Sequence, residues 1–196
     1  MTNQLQPPLS YHIDPTIYAG RPTDSSGRLP KELRTYDLLD SLHISYERVD
    51  HDALPTIEAC RQVDEILGTP MCKNLFLRNA QKTAFYLLLL PGEKKFKTAA
   101  LSKQIRSARL SFGEPEFMEQ YLNITPGSVS VLGLMNDPEN KVRLLIDKDI
   151  LKNHPYFGCH PCINTSSLKF RTEDLLNKIL PAIHHDYTMV DLPYAE

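Results

Sequence analysis

The chain has no excess of either charge. Its 22 Lys and Arg residues stand against 24 Asp and Glu, a formal net charge of −2. A global polybasic signature of nucleic-acid binding is absent, so any contact with a polyanion must come from a local patch. No apolar run approaches the roughly 18 residues that a membrane helix needs, which argues against a membrane partner. Four cysteines in 196 residues do not make a disulfide scaffold, and a reducing cytosol is the expected compartment. The start, MTNQLQPPLSYHIDP, lacks the basic opening and apolar core of a signal peptide. We therefore expect a cytoplasmic protein. There is no internal repeat and no low-complexity tract.

What is present is ordinary for a soluble globular domain: 41% hydrophobic and 23% charged residues, at a length that suits one substantial core. Residues 1–30 are rich in Pro, Ser, Thr and Gly without a sustained period. They read as an extended arm that can dock through Tyr11, Ile13, Ile17 and Tyr18. From Lys31 the pattern is helical, with Leu33, Tyr36, Leu39 and Leu42 at helix spacing. SYERVD follows as a short strand, then a helix from Pro55 to Leu67 closed by Gly68.

Cys72–Arg78 and Thr83–Leu90, separated by NAQK, predict a hairpin. Thr98 is placed to cap a helix carrying Leu101, Ile105 and Ala108 on its apolar face. A strand at Leu110–Phe112 and a helix from Glu114 to Leu122 come next. Val129–Met135 and Val142–Asp147 flank the turn NDPEN and predict a second hairpin. Ile163–Phe170 reads as a further strand, and Thr172 as the cap of a final helix. The fold class is α/β, one domain with a mixed, largely antiparallel sheet surrounded by helices.

Four features carry candidate chemistry. The segment TPGSVSVLGLMND, Thr125–Asp137, is apolar yet built of small residues, with glycines at Gly127 and Gly133. Glycine permits unusual dihedrals and close approach, so any chemistry here comes from peptide groups; the competing reading is a tight loop entering a buried strand. From Glu93 to Arg109, six cations (Lys94, Lys95, Lys97, Lys103, Arg106, Arg109) accompany one acid. They could neutralise several phosphates or form a solvated helix face. Lys73-Asn74 opens a strand on which the lysine shares a face with Leu75 and Leu77. Such a cation snorkels at a strand edge or faces a pocket.

The fourth is Cys159-His160-Pro161-Cys162, which has dithiol spacing. The β-prone INTSSLKF that follows lacks the helix such a redox centre opens. Cys60 and Cys72 supply no second close pair for zinc. His160, with Asn164, Thr165, Ser166 and Ser167, is a pocket or surface histidine. Asp137, Asp147 and Asp149 read as turn or cap residues, and no nucleophile presents itself.

In order, CKNLFLRN, LSF, TPGSVSVLGLMND, NKVRLLIDKD and HPCINTSSL resemble the YbaK/ProX-type aminoacyl-tRNA editing domains. The likeness is to the free-standing prolyl-tRNA deacylases and runs from about Leu33 to Leu180. It implies a YbaK-like domain over 31–182, with the arm before it and a tail at 183–196. It further implies hydrolysis of alanine wrongly attached to proline tRNA, without metal or redox cofactor. Cysteinyl-tRNA(Pro) deacylation, and a non-catalytic tRNA- or synthetase-binding module, are the alternatives.

On this resemblance Lys73, Gly127 and Ser128 are catalytic, Lys73 as a point charge on the terminal phosphate or ribose. Asn74, Val129, Ser130, Gly133, His160 and Asn164 line the amino-acid site. Lys95, Lys97, Lys103, Arg106 and Arg109 meet the tRNA. The partners implied are the acceptor end of mischarged tRNA(Pro) and prolyl-tRNA synthetase, with no DNA. The family's GxxxP loop begins at Gly127 and departs at Val131, where proline is expected.

Overall fold

The structure, a computed structural model, describes residues 10–54 and 57–194. Its first half contains β1 (Tyr18–Ala19), α1 (Pro30–Ser41), β2 (Glu47–Asp50), α2 (Ile57–Leu67), β3 (Lys73–Asn79), β4 (Phe85–Leu90) and α3 (Thr98–Gln104). Then come β5 (Leu110–Phe112), α4 (Pro115–Leu122), a 3-10 helix over Val131–Asn136, β6 (Val142–Asp147) and α5 (Lys148–Asn153). The chain continues through β7 (Tyr156–Cys159), β8 (Ser166–Arg171) and a helix α6 at 172–182 with a π-helical middle, Leu175–Ile179. It ends on β9 (Tyr187–Val190).

These strands form two sheets, ordered β1-β2-β8-β7 and β5-β3-β4-β6-β9. The first is antiparallel throughout. In the second, β3 pairs antiparallel with β4 and β5, while β6 runs parallel to both β4 and β9. The architecture is mixed and largely antiparallel, as the sequence predicts. The hairpin expected of Cys72–Arg78 and Thr83–Leu90 is present as β3 and β4, with Leu75 opposite Leu88.

One core lies between the sheets. Phe76, Leu87 and Leu89 meet Phe157, Leu168 and Phe170 there, under Tyr36 and Leu39 of α1. The other face of the larger sheet, with Leu77, Leu88 and Leu90, packs under Leu101 of α3. Val49 of the smaller sheet packs against Ala59, Val63 and Leu67 of α2. Strand β4 is thus covered on both faces, which is why FYLLLL is buried at every position instead of alternating. Each such leucine contributes roughly 1.5–3 kcal/mol of burial.

The arm lies along β2: Asp52 donates its N–H to His12 O and Gly20 its N–H to Tyr46 O. Tyr11 and Ile13 reach the α2 cluster, whereas Ile17 and Tyr18 stay exposed. Arg28 forks onto the Asp50 carboxylate at 3.2 and 2.7 Å. Burial raises that carboxyl's pKa, but hydrogen bonds from Arg28 and Arg48 outweigh it and hold the group at about 2. At the other end, β9 adds a parallel strand to β6.

Four sequence expectations are corrected. Val129–Met135 is not a strand: Ser130 Oγ accepts from Leu132 N at 3.2 Å and starts the 3-10 helix. The partners of β6 are therefore β4 and β9, with no hairpin. Residue 97, not Thr98, caps α3, and the helix stops at Gln104, where Arg106 follows with φ 53. Thr172 bonds His154 O instead of capping α6. The last strand begins at Ser166, because Cys162 at φ 62 turns the chain before it. The start of the predicted helix at Pro55 lies outside the described residues; Gly68 does close α2, with φ 62.

Candidate active site

The two sheets meet where Met71 bridges Gly158. From that seam Cys72, Asn74 and Phe76 point towards the shared core, and Lys73, Leu75 and Leu77 towards the α3 side. Lys73 and Asn74 thus lie on opposite faces of β3. Lys73 Nζ donates to Lys94 O at 2.8 Å, which fixes the lysine against the basic segment. Asn74 donates Nδ2 to Cys72 O at 3.0 Å and towards Cys72 Sγ at 3.5 Å. Its Oδ1 is the one buried side-chain N or O among the described residues without a hydrogen-bond partner. An unmet buried acceptor costs about 1–3 kcal/mol.

The 125–130 loop is a tight turn. Ser128 donates both N–H and Oγ–H to Thr125 O, at 3.1 and 2.8 Å. Neither the Ser128 N–H nor its hydroxyl is left for substrate, which narrows the role expected for this residue. Gly127 is exposed at φ +89, and a Cβ there would meet Asn164 Nδ2 at 3.4 Å. Gly127 and Asn164 are therefore neighbours. No described group accepts from the N–H of Gly127, Val129 or Ser130.

Val131 is the first residue of the 3-10 helix. Proline is tolerated at such a position because that N–H has no intrahelical partner. The Ser130 cap supplies the local order that a proline ring would otherwise give, so this departure leaves the turn intact. Gly133 approaches the core, not a pocket: a Cβ would fall 2.3 Å from Ile124 Cδ1 and 3.2 Å from Leu122 O. Half-buried Val129 packs on the same core.

His160 Nδ1 lies 2.9 Å from Ser166 O. A carbonyl only accepts, so this nitrogen carries the proton and Nε2 the lone pair. Burial pushes the imidazole pKa down, which favours the neutral ring. No described group bonds Nε2. The flanking thiols are inert: burial pushes Cys162 up to about 11 and Cys159 well above its ordinary range. Cys72, likewise desolvated, is pushed up to about 12. A redox dithiol needs the opposite shift. No cluster of His, Cys, Asp or Glu able to hold a metal occurs among the described residues.

Of the six cations in the basic run, Lys94 is withdrawn: it is 1% exposed and bonds Asp147 and Asp149 at 2.8 and 2.7 Å. Lys95, Lys97, Lys103, Arg106 and Arg109 are exposed, and none has an ion-pair partner among the described residues. Beside them Phe112 is 61% exposed, its ring 5.7 Å from that of Phe96. The Lys94 pairing and the open Phe112 were not read from the sequence; Lys94 and Asp147 are 53 residues apart. Asp147 is also the expected cap, accepting from Asp149 N at 3.0 Å, and Asp137 the expected turn residue, accepting from Lys141 N and Val142 N.

The sequence profile of the aminoacyl-tRNA editing domain matches residues 51–178. The prolyl-tRNA editing protein ProX of Acetoanaerobium sticklandii is 32% identical over 154 residues, 79% of this chain and 93% of that protein. Prolyl-tRNA synthetase associated domain-containing protein 1 of Mus musculus is 28% identical over 141 residues, 70% of this chain and 83% of its own. Among solved structures, a candidate trans-editing enzyme for prolyl tRNA synthetase superposes with a TM-score of 0.61 at 15% identity, over 85% of this chain and 99% of that one. That last likeness is one of fold alone.

Proposed function

The chain belongs to the aminoacyl-tRNA editing domain family, and from that premise we propose that it deacylates tRNA(Pro) mischarged with a small amino acid, alanine first. The observation that carries this reading is the unpartnered Asn74 Oδ1. It is an acceptor suited to the α-ammonium of an aminoacyl group. The exposed Gly127 turn supplies donors for the ester oxygen.

In the reaction, water adds to the ester carbonyl carbon and the bond to the ribose oxygen breaks. The water's proton ends on that ribose oxygen, releasing free amino acid and intact tRNA. An aminoacyl ester is already reactive, so positioning and oxyanion stabilisation suffice without a side-chain nucleophile. The N–H groups of Gly127, Val129 and Ser130 are the donors for the developing charge. Lys73 acts from the other face of β3, as a point charge towards the terminal phosphate. Binding alone discriminates about 1–3 kcal/mol per methylene. A sieve formed by Asn74, Val129 and His160 that admits alanine and excludes the proline ring completes the selection.

The five unpaired cations form the tRNA face, serving the acceptor backbone, and prolyl-tRNA synthetase is the protein partner this reading implies. Binding of tRNA(Pro) should weaken with salt, and Lys97→Glu with Arg106→Glu should weaken it further while lowering the salt slope by about 2. Fluorescence titration at several salt concentrations measures both; an unchanged slope would remove these residues from the interface. A deacylation panel over alanyl-, cysteinyl-, seryl- and prolyl-tRNA(Pro) tests the activity. Cleavage of the cysteinyl ester alone would replace alanine by cysteine as substrate, and salt-sensitive binding without cleavage would leave a non-catalytic module.

A further inference from the structure

Behind His160 stands a second histidine that the function described so far does not use. His51 closes β2, and its ring lies 6.1 Å from that of His160 at 61°. Its Nδ1 is 2.8 Å from Asp52 O, so in the neutral ring the proton sits on Nδ1. Its Nε2, 2.9 Å from Ser167 Oγ, then has only a lone pair, and the Ser167 hydroxyl must donate to it. With its proton so committed, Ser167 Oγ offers only lone pairs to His160 Nδ1, 3.4 Å away. The His160 Nδ1–H, given first to Ser166 O at 2.9 Å, thus finds only a second acceptor in Ser167, whose O–H goes to His51, and the His51 N–H goes to the Asp52 carbonyl.

His51 N donates to Thr165 O at 3.0 Å, and Ser166 Oγ donates to Asp50 Oδ1 at 3.0 Å, the carboxylate that Arg28 of the arm engages. Both histidines and Ser167 are largely removed from water, where such chains are stronger and a misdirected hydroxyl costs more. Were Ser167 free to rotate, it could point its proton at His160 Nδ1 and, against the pull of Ser166 O, favour the opposite tautomer. That tautomer would replace the open acceptor at Nε2 by a donor.

We propose that His51 is a positioning residue: by keeping the Ser167 proton turned away, it secures the Nδ1–H tautomer that Ser166 O sets in His160, with the Nε2 lone pair presented to the aminoacyl end of the substrate. This rests on the editing function proposed above. Long-range 1H–15N NMR of the imidazoles, assigned with single histidine variants, reads the tautomer directly and needs no substrate. The wild type should give a neutral Nδ1–H pattern for His160. His51→Leu should shift His160 towards the Nε2–H form and lower kcat for alanyl-tRNA(Pro) about tenfold, with little change in KM. His51→Gln, whose carbonyl can still accept from Ser167, should restore both. An unchanged His160 tautomer in a folded His51→Leu protein would overturn the proposal, as would loss of kcat without any tautomer change. If the wild type cleaves no ester yet His51→Leu alters the tautomer, the editing reading fails while the positioning relay stands.

Discussion

Gly127→Ala is expected to lower kcat for alanyl-tRNA(Pro) deacylation by on the order of 10²-fold, the scale of losing one oxyanion donor, in a protein that still folds. Gly127 sits at φ +89 on an exposed turn. An L side chain held in such a region costs about 1–3 kcal/mol, although the added Cβ itself would only touch Asn164 Nδ2 at 3.4 Å. The turn relieves this by rotating its peptides, which swings the N–H groups of Gly127 and Val129 away from the ester oxygen. The global fold is spared because no core side chain lies at the tip. Single-turnover deacylation beside a thermal melt separates the two effects. A variant with unchanged kcat would show that the turn's peptide groups do no chemistry.

The second large effect concerns stability. Lys94→Met should destabilise the protein by about 3–5 kcal/mol, the usual result of breaking a buried ion pair by removing one partner. Lys94 and Asp147 are 1% and 0% exposed. Asp147 also accepts from Leu192 N at 3.0 Å, while Tyr194 donates its hydroxyl to Asp149 at 2.7 Å and lies under Lys94 Nζ at 4.8 Å. The C-terminal segment and the 91–97 loop are thus tied to one buried cation. Since Lys73 rests on Lys94 O, the same change unseats Lys73. Urea denaturation should give a lower midpoint for Lys94→Met and partial recovery in Lys94→Met with Asp147→Asn, where the fully buried carboxylate is no longer stranded and Asp149 keeps the Tyr194 hydroxyl as a donor. A midpoint equal to that of the wild type would mean the ion pair is not structural.

Local pattern made much of this fold legible. Tyr36 and Leu39 at helix spacing, the 73–90 hairpin and the closure of α2 at Gly68 all depend on residues near each other in sequence. The misread segment, Val129–Met135, has the apolar content of a strand. What decides it is a serine cap and the packing of Gly133 on Leu122 and Ile124, a tertiary demand that periodicity does not carry. The withdrawal of Lys94 from the basic run has the same origin, since its acids arrive on β6 and α5. In the site, Gly127 beside Asn164 was signalled by residue type. The division of Lys73 and Asn74 between two faces follows from strand alternation once β3 is placed. His51 was missed because one histidine in HDALP carries no local sign of a partner 116 residues away.

The central claim is that this backbone-built site cleaves a small aminoacyl ester and spares proline. The most direct measurement is the ratio of single-turnover deacylation rates for alanyl- and prolyl-tRNA(Pro) with the wild-type protein. The account predicts rapid release of alanine and a prolyl ester that decays no faster than in buffer. Equal rates for the two esters, or inertness towards both, would contradict it.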